Sequence, residues 1–412
     1  MNINALLEFL EEESAADDKF ENFVNLVTGQ QIIKDQYEFK ELLHLISNIG
    51  NNHHRSPNFI IKLERLLRQF KQDIKIYFSN SEIFEIFKDN KRILLFLIEE
   101  KLMIIDESIF SIITSDKYVE KNYCEYFQPE IKPLLTQENI EKYGSKNKSL
   151  KNDKFIERMN KEIEENFYDK RREGLNDDYL CELIRLNKIK EFITFTEQRN
   201  LSLKSEINKS IFETNQLLTD NKKISLIKYA LFYGSNDIIK YMINKKINIT
   251  PSMFIYAVHS CNVELIKFLE AIDDLSQSYS ESESESESEN DSKNDSKNDS
   301  EDSSDFEYHY DYYESVLFES IKCHHIEISK YIIENLIGEY FKNDIKNNTC
   351  DNIFIYAAEY FNYCFFPTNM ECENMFFYLC ESGYYTLVKL YLSESKIDIN
   401  ETIKTLIIQI TF

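Results

Sequence analysis

The chain has no tryptophan, and only 7 glycines and 5 prolines among its 412 residues. So few turn-forming residues argue against an all-β fold and favour helices. They also leave little material for a phosphate-cradling loop. No glycine-rich nucleotide motif, G-x-S-x-G elbow or H-E-x-x-H sequence occurs. Long apolar runs are missing as well: ILLFLI (Ile93 to Ile98) is bounded by charge and far short of a membrane span. The 8 cysteines are scattered, and Cys364, Cys372 and Cys380 do not form the C-x2-C pairs of zinc sites. The first residues, MNINALLEFLEEES, are acidic where a secretory signal is basic. The expectation is a reduced, soluble, cytoplasmic chain that does not insert into a membrane.

Basic charge is scarce too. Lys and Arg number 48 against 72 Asp and Glu, a net charge of −24. Such a balance argues against general nucleic-acid binding, which needs cations to neutralise phosphate. The local run Lys146, Lys148, Lys151 and Lys154 reads as a solvated linker. What is abundant is aromatic: 26 Tyr and 30 Phe. With the many Asn, Lys and Ile, this fits an A+T-rich coding bias better than a ligand-binding surface.

One stretch cannot form a core. Residues 278 to 305, SYSESESESESENDSKNDSKNDSEDSSD, hold 11 acids against Lys293 and Lys297, a net −9. Ser280, Ser282, Ser284 and Ser288 each have an acid three residues downstream, the context preferred by acidophilic kinases, and are candidate phosphosites. An inert, disordered low-complexity insertion is the preferred reading.

Its flanks carry the pattern that decides the fold. SLIKYALFYGSNDIIKYMI (from Ser225), SMFIYAVHSCNVELIKFLE (from Ser252), ESVLFESIKCHHIEISKYII (from Glu314) and NMFFYLCESGYYTLVKLYL (from Asn374) each read as helix, break, helix. The first helices centre on Ala230, Ala257, Ser320 and Leu379, where a small residue allows close approach in three of the four. The breaks fall at Gly234, Cys261, His324 and Gly383. Glycine there supplies the left-handed conformation that ends one helix. The second helices carry Ile238-Ile239, Leu265-Ile266, Ile328-Ser329 and Leu387-Val388. Apolar faces of this kind are buried only by stacking neighbouring pairs. IFIYAAEY (Ile353 to Tyr360) reads as a worn copy, and residues such as Ile60, Leu63, Leu66, Leu67 and Phe70 continue a helical period upstream. From Ala257 to Ser320 is 63 residues, and removing 276–305 leaves 33, close to the ~33 of an ankyrin repeat.

CESGYYTLVKLYLSESKIDIN (Cys380 to Asn400) resembles the ankyrin helix–turn–helix and its trailing loop, and Thr250-Pro251 stands near the place of the T-P-L-H signature. The block from SIFETNQLL to ESIKCHHIEISKYII, with NHHRSPNF, YFSNSEIFEIFKDNKRILLFLIEEK and YLCELIRLNKIKEFI upstream, resembles an ankyrin-repeat family expanded in flagellate protists. Members of that family carry a conserved domain of unknown function. The resemblance implies an all-α, irregular ankyrin-type helical-repeat solenoid with a disordered acidic loop insertion. The expected divisions are 1–140, diverged repeats or a cap; 141–175, a charged linker or helix; 176–275, the domain of unknown function with degenerate repeats; 276–305, the insertion; and 306–412, C-terminal repeats.

No chemistry stands out. His44 with His53-His54, and Cys323-His324-His325, are the best metal candidates, but neighbouring residues on a helix diverge by about 100° and rarely share an ion. A structural role is preferred for both. Glu99-Glu100 and Glu162, Glu164, Glu165 read as solvated faces. The aromatic stripe Tyr229, Phe232, Tyr233, Tyr241, Tyr256 and Phe268 combines core with possible contact residues. The expectation is therefore a monomeric, non-catalytic scaffold without cofactor or metal that binds an unidentified protein. A substrate adaptor or host-directed effector is the alternative, and a metal-dependent enzyme a minor one. The apolar ending ETIKTLIIQITF suggests either a final helix folded back or a reading frame that continues.

Overall fold

A computed structural model describes residues 3–11, 17–54, 58–220, 223–272, 304–337, 351–365, 376, 379–380 and 384–394. The described residues are mostly helical, with no strand beyond one isolated bridge, Glu206 to Ser225. The chain forms two compact units, Met1–Ala230 and Leu231–Phe412, and the division falls inside a helix rather than at the acidic stretch. The four candidate phosphoserines and Gly383 lie outside the described residues.

In the first unit, the longer helices are α1 (Ile3–Glu11), α2 (Asp17–Gly29), α3 (Gln36–Asn52), α4 (Phe59–Gln69), α5 (Asn80–Phe87) and α6 (Lys91–Glu99). Their starts are set by short polar side chains. Asp35 caps α3 by accepting from Tyr37 and Glu38, Asn90 caps α6 at Ile93, and Ser79 with Glu82 closes a reciprocal box on α5. On α4 the buried face is Phe59, Leu63, Leu66 and Leu67, with Phe70 buried at the C-cap and Ile60 only half-buried. Gly50 lets α3 come close to its neighbours: a Cβ there would stand 2.8 Å from Ile93 Cδ1 and 3.0 Å from Leu63 Cδ1. The apolar α6 buries Ile93 through Leu97 and contacts both α5 and α7 (Phe167–Glu173). Residues 141–175 contribute Asp153–Asn160, whose Phe155 and Met159 are buried, and Lys146, Lys148, Lys151 and Lys154 are all exposed. Two further helices, α8 (Tyr179–Arg185) and α9 (Ile189–Gln198), form a hairpin turned by Asn187.

The boundary helix α10 (Leu226–Tyr233) leads to α11 (Asn236–Asn244). The second unit continues with α12 (Phe254–Val258), α13 (263–272), α14 (Ser304–Lys322), α15 (Ile326–Tyr331), α16 (Asp351–Glu359) and α17 (Tyr385–Glu394). Thr250 is extended, and Pro251 opens the short 3-10 turn that leads into α12. The breaks share one conformation. Gly234, Cys261 and His324 have φ of 61°, 52° and 57°, and Asn187 and Phe361 take the same region. Each of these residues donates its backbone N–H three residues back. In the αL-terminated form, the next N–H reaches five residues back: Lys188 to Leu183, His325 to Ser320, and Asn362 to Ala357. With so few glycines, the chain places Asn, Cys, His and Phe where glycine is the unstrained choice.

Consecutive hairpins of the second unit meet. Helix α12 packs on α14, and α14 on α16. Tyr331 of α15 donates its hydroxyl to Glu270 of α13. The turns are also joined: Cys261 Sγ lies 3.3 Å from His325 Nδ1, His324 Nε2 2.8 Å from the Tyr360 carbonyl, and Asn362 donates to the Ile321 carbonyl at 2.8 Å. The segments that precede and follow the acidic stretch are therefore packed together within one unit.

Candidate functional site

Of the expected framework positions, Gly234 is half-buried at its turn and the other described ones are core. Ala230, Ala257, Ser320, Ile238 and Ile328 are buried, with Leu265 and Leu387 nearly so. Of the aromatic stripe, Tyr229, Phe232, Tyr233 and Tyr256 are buried, and Tyr241 and Phe268 are half-buried. The stripe is mainly core, as stacked helices require.

The acidic pairs act as surface partners. Glu100 accepts from Arg68 at 2.8 Å and Lys71 at 2.9 Å, Glu99 from Arg172 at 3.0 Å, and Glu162, Glu164 and Glu165 are exposed. His53 is buried against the Phe59 ring, 6.0 Å between centroids. Burial pushes the His44 imidazole down to about 4, with Lys40 and Lys88 adding to it. These three histidines do not form a three-ligand group.

Cys323, His324 and His325 go three ways. His324 turns to Tyr360 and His325 to Cys261, while Cys323 faces a cluster that spacing did not reveal. Among the described residues, the one group with metal-ligand chemistry is His259, Glu319 and Cys323, all buried, with donor atoms mutually within 4.8 Å. Glu319 lies in the last turn of α14 and Cys323 is the residue just after that helix, while His259 follows α12 in the preceding hairpin. His259 Nε2 lies 2.8 Å from Glu319 Oε1 and 3.6 Å from Cys323 Sγ, and Sγ lies 3.9 Å from Oε1. The Phe232 ring stacks on His259 at 4.9 Å.

Lys322 donates to the same Glu319 oxygen at 3.0 Å. Burial acts to raise the Glu319 pKa, but the His259 and Lys322 hydrogen bonds and charges outweigh it and bring the carboxyl down to about 2. Burial also works against the Lys322 ammonium, which the Glu319 charge nevertheless holds well above its ordinary value. Burial pushes the Cys323 thiol far up, and Glu319 pushes it further. In the ion-free cluster the thiol therefore keeps its proton and is a poor nucleophile. The arrangement offers one carboxylate, one imidazole and one thiol to a common point, a donor set for a borderline or soft cation rather than Mg2+ or Ca2+.

The first unit has two further features. A cleft of about 630 Å³ is lined by Tyr179, Phe195, Arg199, Leu201 and Asn208 among others. Its Arg199 lies over the Phe195 ring at 4.5 Å, and burial raises the Cys181 thiol far above its ordinary value. Elsewhere Lys91 is buried between the Tyr123 and Tyr126 rings, 5.6 and 5.2 Å from their centroids, and donates to the Lys121 and Ile211 carbonyls. Burial lowers its pKa to about 8, against the pull of Glu213 and Glu125. These charges are spent on the core.

Comparison with known proteins gives no identity. No family model, curated protein or solved structure matches the chain. Its functional reading therefore rests on its own geometry. No helix among the described residues is long and apolar enough to cross a membrane.

The sequence signals that point to the cluster are weak. Glu319 and Cys323 have the i, i+4 spacing of one helix face, and His259 and Cys323 each lie within two residues of an aligned break. Only the alignment of the breaks across the acidic stretch brings the three together.

Proposed function

We propose that the chain is a non-catalytic, irregular ankyrin-type solenoid that binds a protein partner along the outer faces of its second helices. The observation that carries this reading is the linkage of consecutive turns, Cys261 to His325 and His324 to Tyr360, which stacks the hairpins in register. A stack in register repeats whatever its helices expose. After three of the breaks, Gly234, Cys261 and His324, the third residue is an exposed acid, Asp237, Glu264 and Glu327, and the sixth an exposed lysine, Lys240, Lys267 and Lys330, whereas Phe361 is followed by Cys364 at the third place. The Glu264–Lys267 pair, 2.9 Å apart, is solvent-exposed and so weakly held. Such pairs exchange readily for charges on a partner, giving specificity and a fast encounter.

The test is quantitative affinity capture from the native cell with the full chain and a Lys240→Glu, Lys267→Glu, Lys330→Glu variant of unchanged helicity. Loss of the proteins that co-purify with the unaltered chain supports the reading. An identical set of captured proteins rejects it.

A further inference from the structure

We infer that His259, Glu319 and Cys323 form a zinc-class divalent metal site that ties two successive hairpins together. The first argument is distance. Tetrahedral zinc with its usual bonds to S, N and O separates the donors by about 3.6 Å for S and N, 3.6 Å for S and O, and 3.4 Å for N and O. The corresponding separations are 3.6, 3.9 and 2.8 Å. The sulfur–oxygen pair must close by about 0.3 Å and the nitrogen–oxygen pair open by about 0.6 Å, the second change parting the hydrogen bond that the ion replaces. The second argument is placement. All three donors are buried, and they come from two chain segments 60 or more residues apart. Closing so long a loop is where a metal clip contributes most to stability.

The chemistry balances. The ion enters as M2+, Cys323 gives up its thiol proton to solvent, and Glu319 binds as the carboxylate it already is. His259 ligates through Nε2 once the proton it shares with Glu319 has left that nitrogen, leaving a neutral ring protonated on Nδ1. Lys322 gives up its contact with Oε1; its side chain is 16% exposed and can reach water. The thiolate and imidazole select zinc, or cobalt in its place, over Mg2+ and Ca2+.

The test uses the full reduced chain, freed of any affinity tag and of metal, and titrated with Co2+. The expected result is one equivalent bound, a thiolate-to-cobalt charge-transfer band, and displacement of the band by Zn2+. Cys323→Ser removes the band and His259→Gln weakens binding by at least about 100-fold. Cys181→Ser, which alters a buried cysteine of the other unit, leaves both unchanged. A folded, unaltered chain that shows no band overturns the inference, and so does a band that survives Cys323→Ser. Partner capture is measured separately, so loss of either proposal leaves the other standing.

Discussion

Ser320 and Ser329, one on each helix of a hairpin and both fully buried, meet through their hydroxyls at 2.8 Å. Their small size sets how closely α14 and α15 approach, and the hydrogen bond satisfies both hydroxyls. Ser320→Leu overfills this contact and should cost about 1–3 kcal/mol. The double Ser320→Ala, Ser329→Ala variant removes both partners together and should cost under about 1 kcal/mol. Urea unfolding of the two variants distinguishes close packing from simple polarity.

Left-handed caps without glycine carry backbone strain. Lys246 is exposed with φ 60° at the end of α11, so Lys246→Gly should stabilise the second unit by roughly 0.5–1 kcal/mol. Gly234 has φ 61°, and Gly234→Ala should cost about 1–2 kcal/mol. Thermal midpoints should move in opposite directions for the two changes.

His44 makes the first unit acid-sensitive. Its imidazole titrates near 4 in the folded chain against an ordinary 6.5, chiefly because it is buried. As pH falls through that window the unfolded chain takes up a proton that the folded chain refuses. Stability present above about 6.5 is therefore lost progressively towards pH 4, by roughly 3 kcal/mol. A pH series of unfolding free energies should show this slope, and His44→Gln should flatten it.

Lys91 and Glu213 are both buried, and each charge helps to hold the other. Lys91→Met leaves the carboxylate without its compensating cation and should cost about 3–5 kcal/mol. Adding Glu213→Gln, which keeps an oxygen for the Thr214 and Asn215 amides, should recover a large part of that loss. A double-mutant cycle by equilibrium unfolding measures the coupling.

The helical class was legible from composition, and the breaks from alignment. Cys261 and His324 looked like departures from a glycine pattern, yet their backbones follow it. On α4 the helical period through Leu63, Leu66, Leu67 and Phe70 is buried as read, and only its first position differs, Phe59 rather than Ile60 being in the core, because the packing partner decides which residue closes the stripe at a helix end. The cluster was not legible. Adjacent residues in Cys323-His324-His325 point to different neighbours, and His259 joins Glu319 only after the chain on either side of the acidic stretch has folded together. A carboxylate and an imidazole with no fixed spacing leave no local trace.

Crosslinking mass spectrometry in the native cell, with an amine-reactive reagent, tests the binding proposal most directly. Crosslinks from one recurrent partner should fall on Lys240, Lys267, Lys330 and Lys389, the exposed lysines of α11, α13, α15 and α17. Partner crosslinks confined to lysines of the first unit, with none on this set, would contradict it.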